Sequence, residues 1–258
     1  MSPLTLALIQ SATRWHDPAG NCDDYEAKLS GIGGSCDIVV LPEMFSTGFT
    51  MESRTFAESM DGTTVDWMKA QAQRLDAVVC GSVIIEDDGY FNRLIWARPD
   101  GALHFYDKRH LFRMACEHQH FDAGTNRIIV SYRGWRLCLS VCYDLRFPVW
   151  LRNRRDYDAL LCVANWPEPR ALAWQTLLRA RAIENQAFAV GVNVVGTDGN
   201  GLSYAGDTSV YAPDGQTIAA AGQTEGVVTA TLMPSVLTAM RQAFPVALDA
   251  DSFVLVED

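Results

Sequence analysis

The sequence predicts an α+β protein in which two β-sheets pack face to face and helices cover their outer faces. Short apolar runs recur along the chain, and most are almost continuously apolar, as in strands that are covered on both faces. Segments with the three- and four-residue spacing of helices lie between several of these runs. Two facing sheets, each backed by helices, would cover both faces of such strands.

Ten apolar runs are predicted to be strands. They occupy residues 4–9, 38–41, 77–85, 93–97, 103–106, 135–141, 159–164, 187–195, 208–211 and 227–232. The Pro-Asp-Gly sequences at 99–101 and 213–215 predict hairpins, while Asp-Gly at 88–89 and Arg-Gly at 133–134 indicate turns.

Three apolar stripes predict helices. The stripes are Tyr25, Leu29 and Ile32; Val65, Met68, Ala72 and Leu75; and Ala171, Trp174, Leu178 and Ala182. Asn21 and Asp61 are the candidate N-caps of the first two helices. A short last helix is expected after Pro234, and the tail beyond Pro245 shows no helical period.

The composition restricts the possible partners. The chain has 258 residues and a net charge of −10, and an acidic surface repels phosphate backbones and anionic lipid heads. We therefore expect neither nucleic acid nor membrane as a partner. No segment reaches transmembrane length, and the first ten residues have the pattern of a strand rather than a signal peptide. Seven cysteines, several of them inside apolar runs, favour reduced thiols and a cytoplasmic location.

The domain organisation is predicted to be simple. The sequence shows no linker, internal repeat or low-complexity stretch, and its length is compatible with one β-rich sandwich. Residues 1–258 are therefore expected to form a single domain.

Three predicted strands end in a reactive side chain. Glu43 follows the run at 38–41, Lys108 follows the run at 103–106, and Cys142 follows the run at 135–141. In sheet proteins with crossover helices, sites collect at the carboxyl ends of strands. A carboxylate, an ammonium and a thiol are the components of an acyl-transfer site, so we predict a cysteine hydrolase that cleaves a small carboxamide.

Amide cleavage gives each residue a role. Cys142 would attack as a thiolate, which Lys108 and the start of a helix after residues 147–148 would favour. Glu43 would take the thiol proton, pass it to the departing nitrogen and then activate water. Lys108 and the backbone N–H of Tyr143 would stabilise the oxyanion. Taken singly, each residue also has an inert interpretation, and spacing alone does not show that the three strand ends meet.

The sequences of three motifs resemble the signature blocks of the nitrilase (carbon–nitrogen hydrolase) superfamily. The blocks are LPEMF at 41–45, YDKRHLF at 106–112 and CYDLRFP at 142–148. The resemblance implies a four-layer αββα sandwich of two mixed sheets, a catalytic triad of Glu43, Lys108 and Cys142, and neither a metal nor an organic cofactor. It also implies a second glutamate shortly after the lysine, and Glu117 fits that place.

Four further segments resemble the bacterial omega-amidase branch of this family. They are EMFSTGF at 43–49, ANWP at 164–167, RARAIENQ at 179–186 and GTDGNG at 196–201. That branch hydrolyses the terminal amide of 2-oxoglutaramate, 2-oxosuccinamate and related 2-oxo acid monoamides. Val194 departs from the branch pattern, because an arginine is common there, and this leaves the substrate preference less defined.

A 2-oxo acid amide carries a carboxylate, which requires planar basic donors. Arg170 and Arg113 are the candidates, Phe45 and Trp166 are candidate pocket walls, and Asn165 is a further candidate contact. All five are proposed because they lie near the motifs in the sequence. A surface arginine or a core aromatic is the alternative for each.

Other interpretations stay open. Cys116, His118 and His120 flank Glu117 and resemble zinc donors, but no second donor cluster is evident, so we expect loop residues near the pocket mouth. The activity could instead be that of an N-carbamoyl amino acid hydrolase, an aliphatic amidase or a nitrilase. A binding protein that kept the fold and lost turnover is a further alternative.

The resemblance also implies a homodimer formed through helices beside the active-site mouth. The C-terminal tail, residues 245–258, contains several apolar residues, and we expect it to pack on its own subunit or on the partner subunit.

Overall fold

The computed structural model describes residues 1–32 and 36–255, and it contains fourteen strands in this part of the chain. The strands are β1 Leu4–Gln10, β2 Ile38–Val40, β3 Val78–Glu86, β4 Tyr90–Ala97, β5 Leu103–Asp107, β6 Ile129–Tyr132, β7 Trp135–Val141, β8 Ala159–Val163, β9 Phe188–Val192, β10 Val195–Thr197, β11 Ser203–Ala205, β12 Ser209–Tyr211, β13 Thr217–Ala220 and β14 Gly226–Leu232. Five α-helices accompany them in the same residues: α1 Pro18–Ser30, α2 Ser53–Phe56, α3 Thr63–Leu75, α4 Ala171–Asn185 and α5 Pro234–Ala243.

The described strands form two six-stranded mixed sheets and one separate hairpin. The first sheet has the order β14-β1-β2-β3-β4-β5, the second has the order β13-β12-β9-β8-β7-β6, and β10 pairs with β11. In each large sheet three central strands are parallel: β1, β2 and β3 in the first, and β7, β8 and β9 in the second. This arrangement confirms the predicted pair of mixed sheets.

Both faces of the first sheet are buried. Leu6 and Leu8 of β1 belong to the core that lies between the sheets, whereas Ala7 and Ile9 belong to a second core. That second core contains Tyr25 of α1 and Met68 and Ala72 of α3, so these helices cover the outer face. The near-continuous apolar pattern of the strands follows from this double coverage.

Helix α4 covers the second sheet in the same way. Trp174 and Leu178 are fully buried against β9. A side chain at Gly191 would place a Cβ atom 2.3 Å from Leu178 Cδ2 and 2.7 Å from Trp174 Cζ2, so only glycine allows this close approach of helix and strand. The four-layer αββα sandwich is thus confirmed.

The predicted helix caps were wrong. Helix α1 begins at Pro18, and the side chain of Asp17 accepts a hydrogen bond from the N–H of Gly20. Asn21 instead lies inside the helix. The N-cap of α3 is Gly62 rather than Asp61, and the Glu58 carboxylate accepts from two backbone N–H groups of its first turn. A carboxylate from outside the helix thus supplies the hydrogen-bond acceptor that an N-cap side chain would have supplied.

All four turn signals form hairpins, two more than predicted. Residues 87–89 join β3 to β4 in a three-residue loop. Arg133 and Gly134 join β6 to β7, both with positive φ as a two-residue hairpin turn requires. The run predicted at 187–195 is interrupted, because Asn193 leaves the sheet and its side chain binds the backbone of other loops. Strands β6, β11 and β13 were not predicted, and each is four residues or shorter.

The tail contacts its own chain where it is described. Residues 246–248 form a short 3₁₀ helix, Arg155 donates to the carbonyl of Ala247 at 2.6 Å, and the Arg154 guanidinium lies 4.6 Å from the Phe253 ring. The predicted tail also includes residues 256–258, which lie outside the described residues. Within the described ranges no helix is long and apolar enough to cross a membrane.

Candidate active site

The three reactive strand ends converge, and Glu117 joins them. Lys108 Nζ lies 2.9 Å from Glu43 Oε1 and 2.9 Å from each carboxylate oxygen of Glu117. The side chains of all three residues are 0% exposed. Cys142, which follows β7, lines the same cavity as Lys108, and its thiol interacts electrostatically with Glu43 and Lys108. The predicted meeting of Glu43, Lys108 and Cys142 is therefore what the fold produces, and Glu117 occupies the place expected for it.

Cys142 stands on a sharp turn. It is the first residue of a 3₁₀ helix, Cys142–Arg146, and has a φ of 46°, which is uncommon for a residue other than glycine. This turn ends β7 abruptly and leaves Cys142 on the wall of a cavity. The predicted helix start after residues 147–148 was wrong, since those residues form a turn after the 3₁₀ helix.

The resting Cys142 is a thiol rather than a thiolate. Burial raises the pKa of Cys142 well above its ordinary value, the Glu43 carboxylate raises it further, and Lys108 opposes both without overcoming them. Lys108 therefore acts in the predicted direction, because it favours the thiolate, but it does not outweigh burial and Glu43. Attack by this sulfur requires removal of its proton by a neighbouring base, and Glu43 is the carboxylate with the largest electrostatic effect on the thiol.

The charges beneath the cavity are strongly coupled. Burial would lower the pKa of Lys108, but Glu117 and Glu43 outweigh burial and hold that pKa above its ordinary value. Lys108 therefore remains an ammonium. Burial raises the pKa of Glu117, and Glu43 adds to this rise while Lys108 counteracts it. Glu117 also accepts from the N–H of Phe112 at 2.6 Å, which fixes the loop after β5.

Asn165 positions Glu43 from the opposite sheet. Its backbone N–H donates to Glu43 Oε2 at 2.7 Å, and its side chain donates to the backbone carbonyl of Glu43. The residue lies directly after β8 and also lines the cavity. Sequence reasoning assigned Asn165 only to substrate binding and missed this contact, because nothing in the motif indicates which loop it faces.

A buried network joins the Lys108 loop to the Cys142 loop. Asp144 accepts from the Tyr106 hydroxyl at 2.8 Å and from the Val141 N–H at 3.0 Å, and it contacts His110 Nδ1 at 2.7 Å. The His110 ring also stacks on Phe147, with 3.7 Å between ring centroids. These contacts fix the two loops relative to each other.

The cavity above the site measures about 370 Å³, and several aromatic side chains line it. Its lining includes Trp15, Phe49, Phe112, Tyr143 and Trp166, together with Cys142 and Lys108. The β10–β11 hairpin contributes Asp198, Asn200, Leu202 and Tyr204 to the opposite wall. Such a volume suits a small molecule.

Two predicted wall and binding residues lie elsewhere. Phe45 is fully buried in the core beneath α1 and α3, and its ring centroid lies 5.4 Å from that of Tyr25. Met44, which has a φ of 41°, turns the chain here, and Phe49 lines the cavity instead. Arg113 is exposed and is not among the lining residues.

Arg170 lines the cavity as predicted, and Arg146 lines it as well. The Arg170 guanidinium lies 5.3 Å from the Phe112 ring, and that of Arg146 lies 4.9 Å from the ring of Trp166, the predicted wall residue. Neither arginine has a carboxylate partner within residues 1–32 and 36–255. Arg146 belongs to the CYDLRFP motif, so a signal for it existed, but sequence reasoning did not use it.

The possible zinc donors do not converge. Glu117 binds Lys108, whereas His118 and His120 line a different cavity beside Ser53 and Tyr90. Among the described residues no group of three or more His, Cys, Asp or Glu side chains is placed to hold a metal ion. Val194 is buried and does not line the catalytic cavity.

An αββα sandwich in which a thiol, a glutamate and a lysine follow strands and meet a second glutamate defines a class of cysteine hydrolases. The family model for carbon–nitrogen hydrolases matches residues 5–242, and the chain belongs to this family. It is 49% identical to the omega-amidase YafV of Escherichia coli strain K12 over 99% of this chain and 100% of the relative. It is 30% identical to the 2-oxoglutaramate amidase of Bacillus subtilis strain 168 over 94% of this chain and 95% of the relative.

A solved structure is also similar over almost the whole chain. It is XC1258 from Xanthomonas campestris, described as a CN-hydrolase superfamily protein with an arsenic adduct in the active site. The TM-score is 0.97 and the identity is 52%, over 99% of this chain and 100% of that chain. The resemblance to the nitrilase superfamily and to its omega-amidase branch is therefore confirmed.

Proposed function

We propose that this chain is an omega-amidase, which hydrolyses the terminal carboxamide of 2-oxo acid monoamides such as 2-oxoglutaramate and 2-oxosuccinamate. The observation that carries the proposal is the convergence of Glu43, Lys108, Glu117 and Cys142 at the base of a small cavity. Full-length similarity to an omega-amidase and to a 2-oxoglutaramate amidase supports this substrate class. The reaction needs neither metal nor organic cofactor.

The first half of the reaction forms a thioester. Glu43 takes the proton of the Cys142 thiol, and the sulfur attacks the carboxamide carbon. Lys108 Nζ and the backbone N–H of Tyr143, which lies in the first turn of the 3₁₀ helix, donate to the oxyanion. Glu43 then gives its proton to the nitrogen, which leaves as ammonia. Glu117 holds Lys108 and positions the substrate amide.

The second half hydrolyses the thioester. Glu43, again a carboxylate, removes a proton from a water molecule, which attacks the acyl carbon. The tetrahedral oxyanion forms at the same donors and collapses with release of the Cys142 sulfur, which recovers the proton. The product is a 2-oxo dicarboxylate. The arsenic adduct of XC1258 supports a reactive thiol here, because arsenic binds thiols and Cys142 is the thiol that lines this cavity among the described residues.

The substrate carboxylate requires a cationic partner, and two arginines offer one. Arg170 and Arg146 both line the cavity, and neither has a carboxylate partner within the described ranges. Their guanidinium groups pack against aromatic rings, which restricts their motion and lowers the entropy lost on binding. We assign the carboxylate to this pair, and Trp166, Phe49 and Phe112 to the walls around the substrate chain.

A comparison of two amides tests the carboxylate assignment. Arg170→Met should raise KM for 2-oxoglutaramate far more than KM for a neutral amide of similar length, because only the first carries a carboxylate. Arg146→Met should act in the same direction, and the exposed Arg113→Met is the matched control with no effect on either substrate. Equal effects of Arg170→Met on both amides would remove Arg170 from this role.

A panel of substrates with ammonia detection tests the proposed function itself. Faster turnover of N-carbamoyl amino acids, aliphatic amides or nitriles than of 2-oxoglutaramate would assign the chain to another branch of the family. No turnover of any of them, with an intact fold, would favour a binding protein.

We also propose a cytoplasmic homodimer. All seven cysteines are free thiols, which fits a reducing compartment. Apolar side chains remain exposed beside the cavity and on the tail, among them Met114 (77%), Leu172 (79%) and Val254 (84%). Burial of these side chains against a partner subunit would favour association. A monomer in light scattering would contradict the dimer.

A further inference from the structure

Asn92 lies beneath the carboxylates of the site, where no sequence motif indicated it. The residue belongs to β4 and is fully buried. Its Nδ2 donates to Glu43 Oε1 at 2.8 Å and to Glu117 Oε1 at 3.3 Å. Its backbone carbonyl accepts from the N–H of Lys108 at 3.0 Å. One residue therefore contacts three of the four convergent residues.

The Ser82 hydroxyl fixes the orientation of the Asn92 amide. Its Oδ1 accepts from the Ser82 hydroxyl at 2.7 Å, and the Ser82 oxygen accepts from the N–H of Met44 at 2.8 Å. With the hydroxyl hydrogen directed to Asn92, the carbonyl end of the amide faces Ser82. A flipped amide would set its carbonyl oxygen against two carboxylates. Both N–H groups of Asn92 are thus directed to Glu43 and Glu117.

The hydrogen bonds from Asn92 compensate for an excess of buried negative charge at the site. Glu43 and Glu117 bring two buried negative charges, while Lys108 brings one positive charge. A buried charge is tolerated only when hydrogen bonds replace its hydration. Asn92 supplies one N–H to each carboxylate and adds no charge, so the site keeps a carboxylate free to act as a base.

The contact also distinguishes the two oxygens of Glu43. Oε1 accepts from both Lys108 Nζ and Asn92 Nδ2, at 2.9 and 2.8 Å, and these two donors occupy its two lone-pair directions. Oε2 accepts from the N–H of Asn165 and keeps one direction free. A proton arriving at Glu43 therefore has an open position on Oε2.

We propose that Asn92 is a positioning residue of the amidase reaction, which directs the proton of the Cys142 thiol to Glu43 Oε2 by occupying Oε1. In this step the S–H bond breaks, its electron pair stays on sulfur, and an O–H bond forms at Oε2. That O–H bond later breaks as the departing nitrogen gains its N–H bond. Asn92 itself neither gains nor loses a proton. The inference rests on the proposed function for its substrate.

Asn92→Leu tests the inference, because leucine has a similar size and no donor. We expect kcat to fall about 10- to 100-fold, the usual effect of removing a hydrogen bond to a charged group, while KM stays nearly unchanged. The acid limb of the kcat/KM profile should move to higher pH by about one unit. The sign follows because Asn92 stabilises the ionised carboxylates, and without it they hold their proton to a higher pH.

The control is Asn185→Leu, which removes another buried asparagine amide outside the site. Asn185 accepts from the N–H of Asn153 and donates to the carbonyl of Arg181. Its replacement should lower stability without moving the acid limb. Asn92→Asp is the second variant, because it keeps the side-chain shape if leucine prevents folding. An added carboxylate beside two others should move the acid limb at least as far in the same direction.

The outcomes separate this inference from the proposed function. If Asn92→Leu or Asn92→Asp folds and keeps the wild-type acid limb, the inference is overturned, even where kcat has fallen. If the wild-type protein hydrolyses no amide, the proposed function fails first. The pH dependence of Cys142 alkylation by iodoacetamide then replaces kcat/KM, because it needs no substrate. The acid limb of the alkylation rate should move to higher pH in both Asn92 variants, and an acid limb at the wild-type pH would overturn the inference.

Discussion

Removal of the Lys108 ammonium should destabilise the protein, and it should do so more strongly at higher pH. The side chain is fully buried between Glu43 and Glu117, with its Nζ 2.9 Å from three carboxylate oxygens. In Lys108→Met the two carboxylates would face each other without a cation. The predicted loss therefore comes from two buried charges that have lost their partner.

The magnitude follows from the cost of breaking a buried ion pair, which is about 3–5 kcal/mol of unfolding free energy. Proton uptake can recover part of this loss. Burial raises the pKa of Glu117 in the folded protein, and Lys108 is what opposes that rise, so the pKa rises further in the variant. A raised folded-state pKa gives stability that is present below the unfolded-state pKa and is lost as pH rises. The deficit should therefore be smaller at about pH 5 than at about pH 8.

Urea unfolding at the two pH values measures this deficit. Lys108→Met/Glu117→Gln is the matched variant, because glutamine removes one of the two unpaired charges. It should be more stable than Lys108→Met at the higher pH and should lose most of the pH dependence. Equal deficits of Lys108→Met at both pH values, unchanged by Glu117→Gln, would refute the reasoning.

Three further predictions concern the reaction. Iodoacetamide should label Cys142 faster than the fully buried Cys80, and equal rates, measured by peptide mass spectrometry, would favour a binding protein over an enzyme. Glu43→Gln should abolish ammonia release at every pH tested, because the Cys142 thiol then has no base; retained turnover would exclude Glu43 from this role. In Gly199→Ala the new Cβ would lie 2.3 Å from Trp15 Cδ1, so the β10–β11 hairpin must shift and KM for 2-oxoglutaramate should rise. Trp15→Leu in the same chain should restore part of the loss in steady-state kinetics, and no restoration would contradict the steric explanation.

The strand ends could be located one by one from the sequence, although β2 and β5 run in the same direction in the first sheet and β7 belongs to the second. Glu43, Lys108 and Cys142 each follow a strand with a clear apolar pattern, and the family motifs fixed their relation. The sandwich was predictable for a related reason, since continuous apolar runs require covers on both faces. These are properties of local sequence.

The residues that were misplaced depend on backbone turns that the pattern does not encode. Met44, at a φ of 41°, directs Phe45 into the helix-covered core, so Phe49 faces the cavity instead. Arg113 starts a short 3₁₀ helix that carries its side chain to the surface. Proximity in sequence to a motif was therefore a poor guide to the cavity wall.

The polar groups that support the site were missed because their partners are distant in the chain. Asn92 meets Glu43 across 49 residues, and Asn165 meets it across 122. Asn92 lies within β4 and Asn165 lies two residues after β8, and at neither position does the sequence indicate the partner of the side chain. Only the packing of the two sheets brings them to the same carboxylate.

The most direct test of the account is a mass spectrum of the protein quenched with acid shortly after mixing with 2-oxoglutaramate. We expect an acyl adduct on the peptide that contains Cys142, formed together with free ammonia. Ammonia release together with an adduct on another cysteine would contradict thioester formation at this sulfur. So would ammonia release without any adduct, if a Cys142→Ala variant is as active as the wild-type protein.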